Sequence, residues 1–465
     1  IWDIQSQTCM FSTCSKSSGI RGELSACVYI PSIKALCVTT DDIALLQIKL
    51  KSVIPPHLDV SHKESVLCCK YNKTFRQVVT CSEGSVRKSH QIKMPRKVYE
   101  NDSTYCISRQ PKCRPSCKML ITGGRDGRLK IWNHNTGQCL HTLKRGAKSD
   151  EVCDCTYAEI NKNRYIMAVG WDRRINMYYD SENDLHHFQE PQPCWQDDLI
   201  RGHREDILCI AQNPPNLLAS SSYDGEIIVW NMISGHIHCR LNSPIHADAG
   251  KQFTDRSVSK ILFLRTRTKN QRPTASLLSN GPQGSVNFWS LLQGGKMIAS
   301  FKPSRMGSQA SSLAVNEDDT LMFAADHTGY IYVYDITEYA MQETEKEPAK
   351  LVTLWRAHVD TITHLEVIDE DKVILSSSMD GAVRLWGLSG EFIGTFGQMD
   401  LWEIFTPASW KHPMVPFEIL IDPESMPTHP VLEEPADISE IISPEKKEAQ
   451  EASHVQVCMI ISQKN

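Results

Sequence analysis

Asp224-Gly225-Glu226-Ile227-Ile228-Val229-Trp230 is a tight turn that runs directly into a strand closed by Trp, and it decides the fold. The same stamp returns as Leu129-Lys130-Ile131-Trp132, Val286-Asn287-Phe288-Trp289 and Val383-Arg384-Leu385-Trp386, and three of the four follow an Asp-Gly pair. Ahead of Asp224 lie two further short strands, Ile207-Leu208-Cys209-Ile210 and Leu217-Leu218-Ala219-Ser220. Turns or their relics recur near Asp42, Gly84, Gly127, Asp172, Gly225, Gly284, Gly329 and Gly381, at intervals of about 42 to 60 residues. Small modules at such a period cannot bury their own faces and complete one another's core, so the pattern predicts an all-β radial repeat of short blades.

Composition agrees. Hydrophobic content of 41% with 10 Trp, 12 Phe and 13 Tyr can fill many thin layers between sheets. A formal charge of -5 carries no nucleic-acid footprint. The 17 cysteines fall in strand-like runs such as Val66-Leu67-Cys68-Cys69 and Val152-Cys153-Asp154-Cys155, where a thiol acts as a small buried hydrophobe, and this suggests a reducing compartment. Cys113 and Cys117 lack a His/Cys pair at finger spacing, so no metal is expected. There is no apolar run near the ~20 residues a membrane span needs. Walker, dinucleotide, zinc-protease and calcium-loop motifs are lacking, and no cofactor is expected.

The strand-turn-strand units resemble WD repeats. In that family a His, a Ser or Thr, an Asp and a Trp lock each blade. The matching residues here are His203, Ser220, Asp224 and Trp230 in one unit and His358, Ser376, Asp380 and Trp386 in another. Both keep four residues from Ser to Asp and six from Asp to Trp, a spacing at which hydroxyl, carboxylate, imidazole and indole N–H can satisfy one another. A third unit keeps Thr122, Asp126 and Trp132 without the His, and a fourth has Asp172 with Tyr178 in place of Trp. Repetition of a His-Asp-Ser set favours architecture over a nucleophilic triad, which appears once in one cleft. Early units are worn: Ser89 stands at a Trp position.

The resemblance sets the expected organisation. Residues 1–50 read as the end of a preceding propeller, because Ile1-Trp2-Asp3 looks like the end of a repeat. Residues 51–398 read as a propeller of about seven four-stranded blades. The segments starting at Cys139, His236, Met297 and Phe392 read as outer strands. Residues 399–430 carry Trp402, Phe405 and Trp410 and read as an aromatic, Pro-rich docking segment. Residues 431–465 read as an acidic extended tail. From 396 onward the chain has eight Pro and twelve acidic against four basic residues, too little apolar content for a core of its own. The basic excursion with Arg265, Arg267, Lys269 and Arg272 is either a contact for an acidic protein surface or a solvated hairpin.

The last unit, from Val383 to Gln398 and on through Trp402 and Trp410, more closely resembles the carboxy-terminal part of the EF-hand-associated WD-repeat proteins of cilia and sperm flagella, of the WD repeat-containing protein 49 and 64 type. That resemblance implies a non-enzymatic structural scaffold of the axoneme. Its implied partners are tubulin and other microtubule-associated proteins in a large hetero-assembly, with no membrane or nucleic acid, and its implied location is the cytoskeleton of a cilium or flagellum. The family's calcium-binding hands lie upstream, so calcium binding does not carry over. The alternative is a soluble WD-repeat adaptor that recognises peptides in ubiquitin ligation or vesicle traffic.

Overall fold

The computed structural model describes residues 25–30, 35–40, 43–47, 61–62, 64–72, 77–82, 85–90, 97–100, 104–109, 119–133, 138–144, 150–180, 195–242, 255–267, 274–341, 347–398, 402–410, 415–422 and 425. The chain divides into units 1–420 and 421–465. Of the second, three residues are described, with Ser425 N–H donating to the Asp422 carbonyl at 3.0 Å.

In the first unit every sheet is an antiparallel meander. A three-stranded sheet of β1 (Ala26–Ile30), β2 (Ala35–Thr39) and β3 (Ile43–Gln47) comes first. Sheet A follows with β4 (Val66–Asn72), β5 (Gln77–Ser82), β6 (Ser85–His90) and β7 (Lys97–Glu100). Sheet B has β8 (Thr104–Arg109), β9 (Met119–Gly124), β10 (Arg128–Asn133) and β11 (Cys139–Lys144). Sheet C has β12 (Val152–Ile160), β13 (Asn163–Gly170) and β14 (Asn176–Tyr179). Sheet D has β15 (Ile207–Asn213), β16 (Leu217–Ser222), β17 (Glu226–Asn231) and β18 (Ile237–Asn242). Sheet E has β19 (Ile261–Phe263), β20 (Leu277–Asn280), β21 (Val286–Ser290) and β22 (Lys296–Phe301). Sheet F has β23 (Ala310–Val315), β24 (Leu321–Asp326), β25 (Tyr330–Asp335) and β26 (Lys350–Arg356). Sheet G has β27 (Ile362–Ile368), β28 (Val373–Ser378), β29 (Val383–Gly387) and β30 (Phe392–Thr395).

This is a β-propeller. The inner strands touch in the order β4, β8, β12, β15, β19, β23, β27, and β27 returns to β4. Six sheets have four strands. Sheet C has three among the described residues, short of the expected complete blade, and residues 181–194 that follow it lie outside them.

Alternation explains the packing. In β17, Ile227 and Val229 join the cluster shared with sheet E, while Ile228 and Trp230 join the one shared with sheet C. In β25, Ile331 and Val333 face sheet G, and Tyr332 and Tyr334 face sheet E. Because both faces of a strand are buried, these strands read as unbroken apolar runs. Seven buried clusters are described, each joining two successive sheets, including G to A.

Each inner strand except β19 carries a register shift near its start, at Val66/Cys68, Thr104/Cys106, Val152/Asp154, Ile207/Cys209, Ala310/Ser312 and Ile362/His364. The skipped residue is re-aimed. Ser311 donates to the Ile362 carbonyl at 2.6 Å, and Thr363 donates to the Val66 carbonyl at 2.7 Å, which stitches neighbouring sheets. At the G–A seam each sheet is one continuous segment, so no strand is shared. Side chains join them: Ser61 Oγ donates to the Phe396 carbonyl (2.6 Å) and accepts Val383 N–H (2.9 Å), and Glu366 accepts Tyr71 N–H (2.6 Å) while pairing with Lys70 at 2.9 Å.

Candidate functional site

The residues expected to lock the blades meet, but not identically. In sheet G, Trp386 Nε1 donates to Ser376 Oγ at 2.9 Å, and Ser376 lies 2.8 Å from His358 Nε2. His358 Nδ1 lies 2.9 Å from Asp380 Oδ2. A carboxylate only accepts, so Nδ1 carries the proton and Nε2 accepts from the serine. Burial lowers the His358 pKa and keeps the ring neutral. Burial alone would raise the Asp380 pKa, but His358 and Arg384 pull it below the usual carboxylate range. Arg384, nearly fully buried, sits 3.6 Å from Asp380 and donates to the Ala357 carbonyl (2.6 Å) and to Glu418 (3.2 Å).

Sheet D departs from this pattern. Trp230 Nε1 donates to Ser220 Oγ at 2.9 Å, and Ser220 meets His203 Nε2 at 2.7 Å. The expected His203–Asp224 bond is absent. Asp224 instead caps its own turn, accepting Ser222 Oγ and Glu226 N–H (3.0 Å). His203 Nδ1 faces Glu226 at 3.9 Å, with no hydrogen-bond partner among the described residues. Burial lowers the His203 pKa to about 4. In sheet B, Trp132 Nε1 donates to Thr122 Oγ1 at 2.9 Å, and Asp126 accepts Arg128 N–H at 3.1 Å.

Three further locks went unread in the sequence. His62 Nε2 meets Thr80 Oγ1 at 2.6 Å in sheet A, and Trp289 Nε1 donates to Ser279 Oγ at 2.9 Å in sheet E. In sheet F, Tyr332 and Ser304 donate to Asp326 at 3.2 and 3.0 Å. Sheets A and E carried the signals, since each lock Trp lies ten residues after its Ser or Thr and each lock His lies four before an inner strand, whereas the sheet F set has neither Trp nor His.

The basic excursion needs a correction. Arg265 is exposed, but Arg267 is buried, and its guanidinium donates to the carbonyls of Tyr339 (2.8 Å) and Ile336. Arg267 is therefore a clamp on the turn after β25, not a partner contact. Lys269 and Arg272 lie outside the described residues, as do the Cys113/Cys117 pair and residues 431–465. The three aromatics of the docking segment also separate. Trp402 is buried and Trp410 packs beside it, whereas Phe405 is 71% exposed and takes no part in that packing.

One turn position stands out. Between the second and third strands of sheets B, C, D, F and G, the residues Arg125, Trp171, Tyr223, His327 and Met379 occupy the same place, two before a residue with positive φ: Gly127, Arg173, Gly225, Gly329 and Gly381. All five are exposed, Trp171 by 53% and Tyr223 by 60%. Glycine is needed at the tightest of these turns, since a Cβ on Gly329 would lie 2.0 Å from the His358 carbonyl oxygen. Sheet C uses Arg173 instead, and its side chain ties the turn to the loop into β15 through the Arg204 carbonyl (2.7 Å) and Asp206 (3.3 Å). Tyr223 N–H donates to the Asp206 carbonyl (2.9 Å) and Met379 N–H to the Thr361 carbonyl (3.0 Å). Second-to-third-strand turns and inner-strand loops therefore share one face.

Nearer the axis, Cys69 Sγ lies 3.7 Å from His364 Nδ1. Burial raises the thiol pKa, while burial with Lys260 and Lys70 depresses that of the imidazole, so the pair stays neutral rather than forming a thiolate–imidazolium nucleophile.

This fold and its locks are similar to those of WD-repeat propellers. Residues 96–133, 196–231 and 349–387 match the WD domain, G-beta repeat family, so the chain carries WD40 repeats. It is similar to the "WD repeat-containing protein on Y chromosome" of Anopheles gambiae, 23% identical over 87% of this chain and 45% of that protein. The protein of the same name from Drosophila mojavensis is 23% identical over 75% of this chain and 34% of its own length. The chain thus spans less than half the length of these relatives.

Proposed function

We propose that this chain is a non-enzymatic protein-interaction scaffold that presents the turn face of its propeller to partners. One observation carries this reading: a turn position built the same way in five sheets is filled by five chemically different exposed residues, Arg125, Trp171, Tyr223, His327 and Met379. The turn geometry recurs and the displayed side chain varies, as expected of a surface that reads a partner at several points. The assembly we propose is the axoneme of a cilium or flagellum, with tubulin or other microtubule-associated proteins as partners. Its support is the resemblance of the last blade and the Trp402–Trp410 segment to the ciliary EF-hand-associated WD-repeat proteins. We read the ring as seven-bladed and the β1–β3 sheet as the end of a preceding propeller. Exposed Trp171 and Tyr223 also suit a second reading, a soluble adaptor that docks a short peptide. Tagged full-length protein in multiciliated cells, extracted with detergent, separates the two: retention on the axoneme supports the scaffold, and complete release into the soluble fraction rejects it.

A further inference from the structure

Sheet G is gripped on both seams by the chain that follows it. Trp402, with Ile404 and Trp410, packs on the cluster joining sheets G and A. Its ring meets Phe396 edge-on at 5.4 Å and lies over Gly394, where a Cβ would come within 2.5 Å of the indole nitrogen. Ile419, on a short helix (Phe417–Ile421), is buried in the cluster joining F and G, beside the Glu418–Arg384 pair. The strap therefore covers the seam where the ring closes without a shared strand.

The strap turn is tied largely through the backbones of Glu403 and Thr406. The Glu403 carbonyl accepts Trp410 Nε1–H (2.9 Å) and Thr406 N–H (3.1 Å), Glu403 N–H donates to Ser409 Oγ (2.8 Å), and the Ser409 hydroxyl donates to the Thr406 carbonyl (2.7 Å). The outer surface of the turn is Phe405-Thr406-Pro407-Ala408, all exposed. The Thr406 hydroxyl donates to the Glu403 carboxylate at 3.1 Å. Ser or Thr precedes Pro at Ser243, Thr406 and Ser443, and of these only Thr406 is among the described residues, on the surface and outside regular strands.

We propose that Thr406 is a phosphorylation site for a proline-directed Ser/Thr protein kinase, and that phosphate there loosens the strap from the G–A seam. The γ-phosphoryl group of ATP passes to Thr406 Oγ1, its bond to the bridging oxygen breaks, ADP leaves, and the hydroxyl proton goes to the kinase's base. The reaction removes the donor that Glu403 accepts and sets a charge of about -1.5 to -2 beside its carboxylate. Like charges at hydrogen-bond distance force Glu403 away, and its backbone N–H and carbonyl hold Ser409 Oγ and Trp410 Nε1–H.

The test uses the native full chain with a purified cyclin-dependent kinase and Mg-ATP, with sites mapped by mass spectrometry. The expected result is phosphate at Thr406, lost in Thr406→Val. In the modified protein the melting temperature should fall by about 2 °C or more. Exchange at the Tyr71 and Val383 amides, which cross the seam, should quicken about tenfold while sheet D is unchanged. Glu403→Gln should shrink both effects. Modification of urea-unfolded but not native chain overturns the site. Phosphate installed at Thr406 with melting and exchange unchanged overturns the release.

Discussion

Asp380→Ala should destabilise this propeller far more than Asp224→Ala, although the two residues hold equivalent places in their repeats. Asp380 is nearly fully buried and takes the His358 Nδ1 proton at 2.9 Å, the Ala382 N–H at 2.9 Å and the field of Arg384 at 3.6 Å. Removing it strands a buried donor and uncovers a buried guanidinium. Breaking a buried pair from one side costs about 3–5 kcal/mol, and because Glu418 still faces Arg384 at 3.2 Å the lower end, about 3 kcal/mol, is expected. Asp224 holds only its own turn, through Ser222 and Glu226 N–H, so its loss should cost about 1 kcal/mol. Urea titrations of both variants against wild type measure the difference. Equal losses, or a larger loss in Asp224→Ala, would refute the claim that only one of the two locks is closed.

Two more expectations follow from burial. The His203 pKa is held at about 4, while the unfolded chain titrates near ~6.5. Stability from this residue is therefore complete above pH ~6.5 and declines as pH falls through that window, with up to about 3 kcal/mol lost below pH 4. His203→Gln should flatten that part of a stability profile measured from pH 4 to 7, and superimposable profiles would count against it. Trp402→Ala should cost about 3 kcal/mol or more by opening the G–A cluster, and Phe405→Ala less than about 0.5 kcal/mol. Thermal melts that rank these two the other way would show that the strap is assigned inside out.

The architecture was legible because strand alternation, the Asp-Gly turns and the terminal Trp are local signals, and each strand's two faces fed two seams. The locks were half legible. Residue types and spacing gave His358, Ser376, Asp380 and Trp386 their places. They could not show that His203 Nδ1 would face Glu226, because that depends on how one side chain turns in a packed interior. His62 was missed because Ser89 stands where sheets B, D, E and G carry the lock Trp, although its offset of four from β4 matches His203 and His358. Arg267 was misread because its charge is visible in sequence, whereas the Tyr339 and Ile336 carbonyls that hold it lie 72 and 69 residues away. The shared turn position was hidden because its five residues have no chemistry in common. What they share is placement.

The central claim is that these turns form the working face, and under the axonemal reading proposed above the most direct measurement is co-sedimentation of the purified full chain with salt-washed axonemes. Trp171, Tyr223 and Met379 are each at least 45% exposed, so changing all three to Ala should leave the melting temperature within about 1 °C of wild type. Loss of three exposed anchors at about 1 kcal/mol or more each should weaken binding more than tenfold. Equal binding by the triple variant and wild type, with equal melting temperatures, would contradict the account.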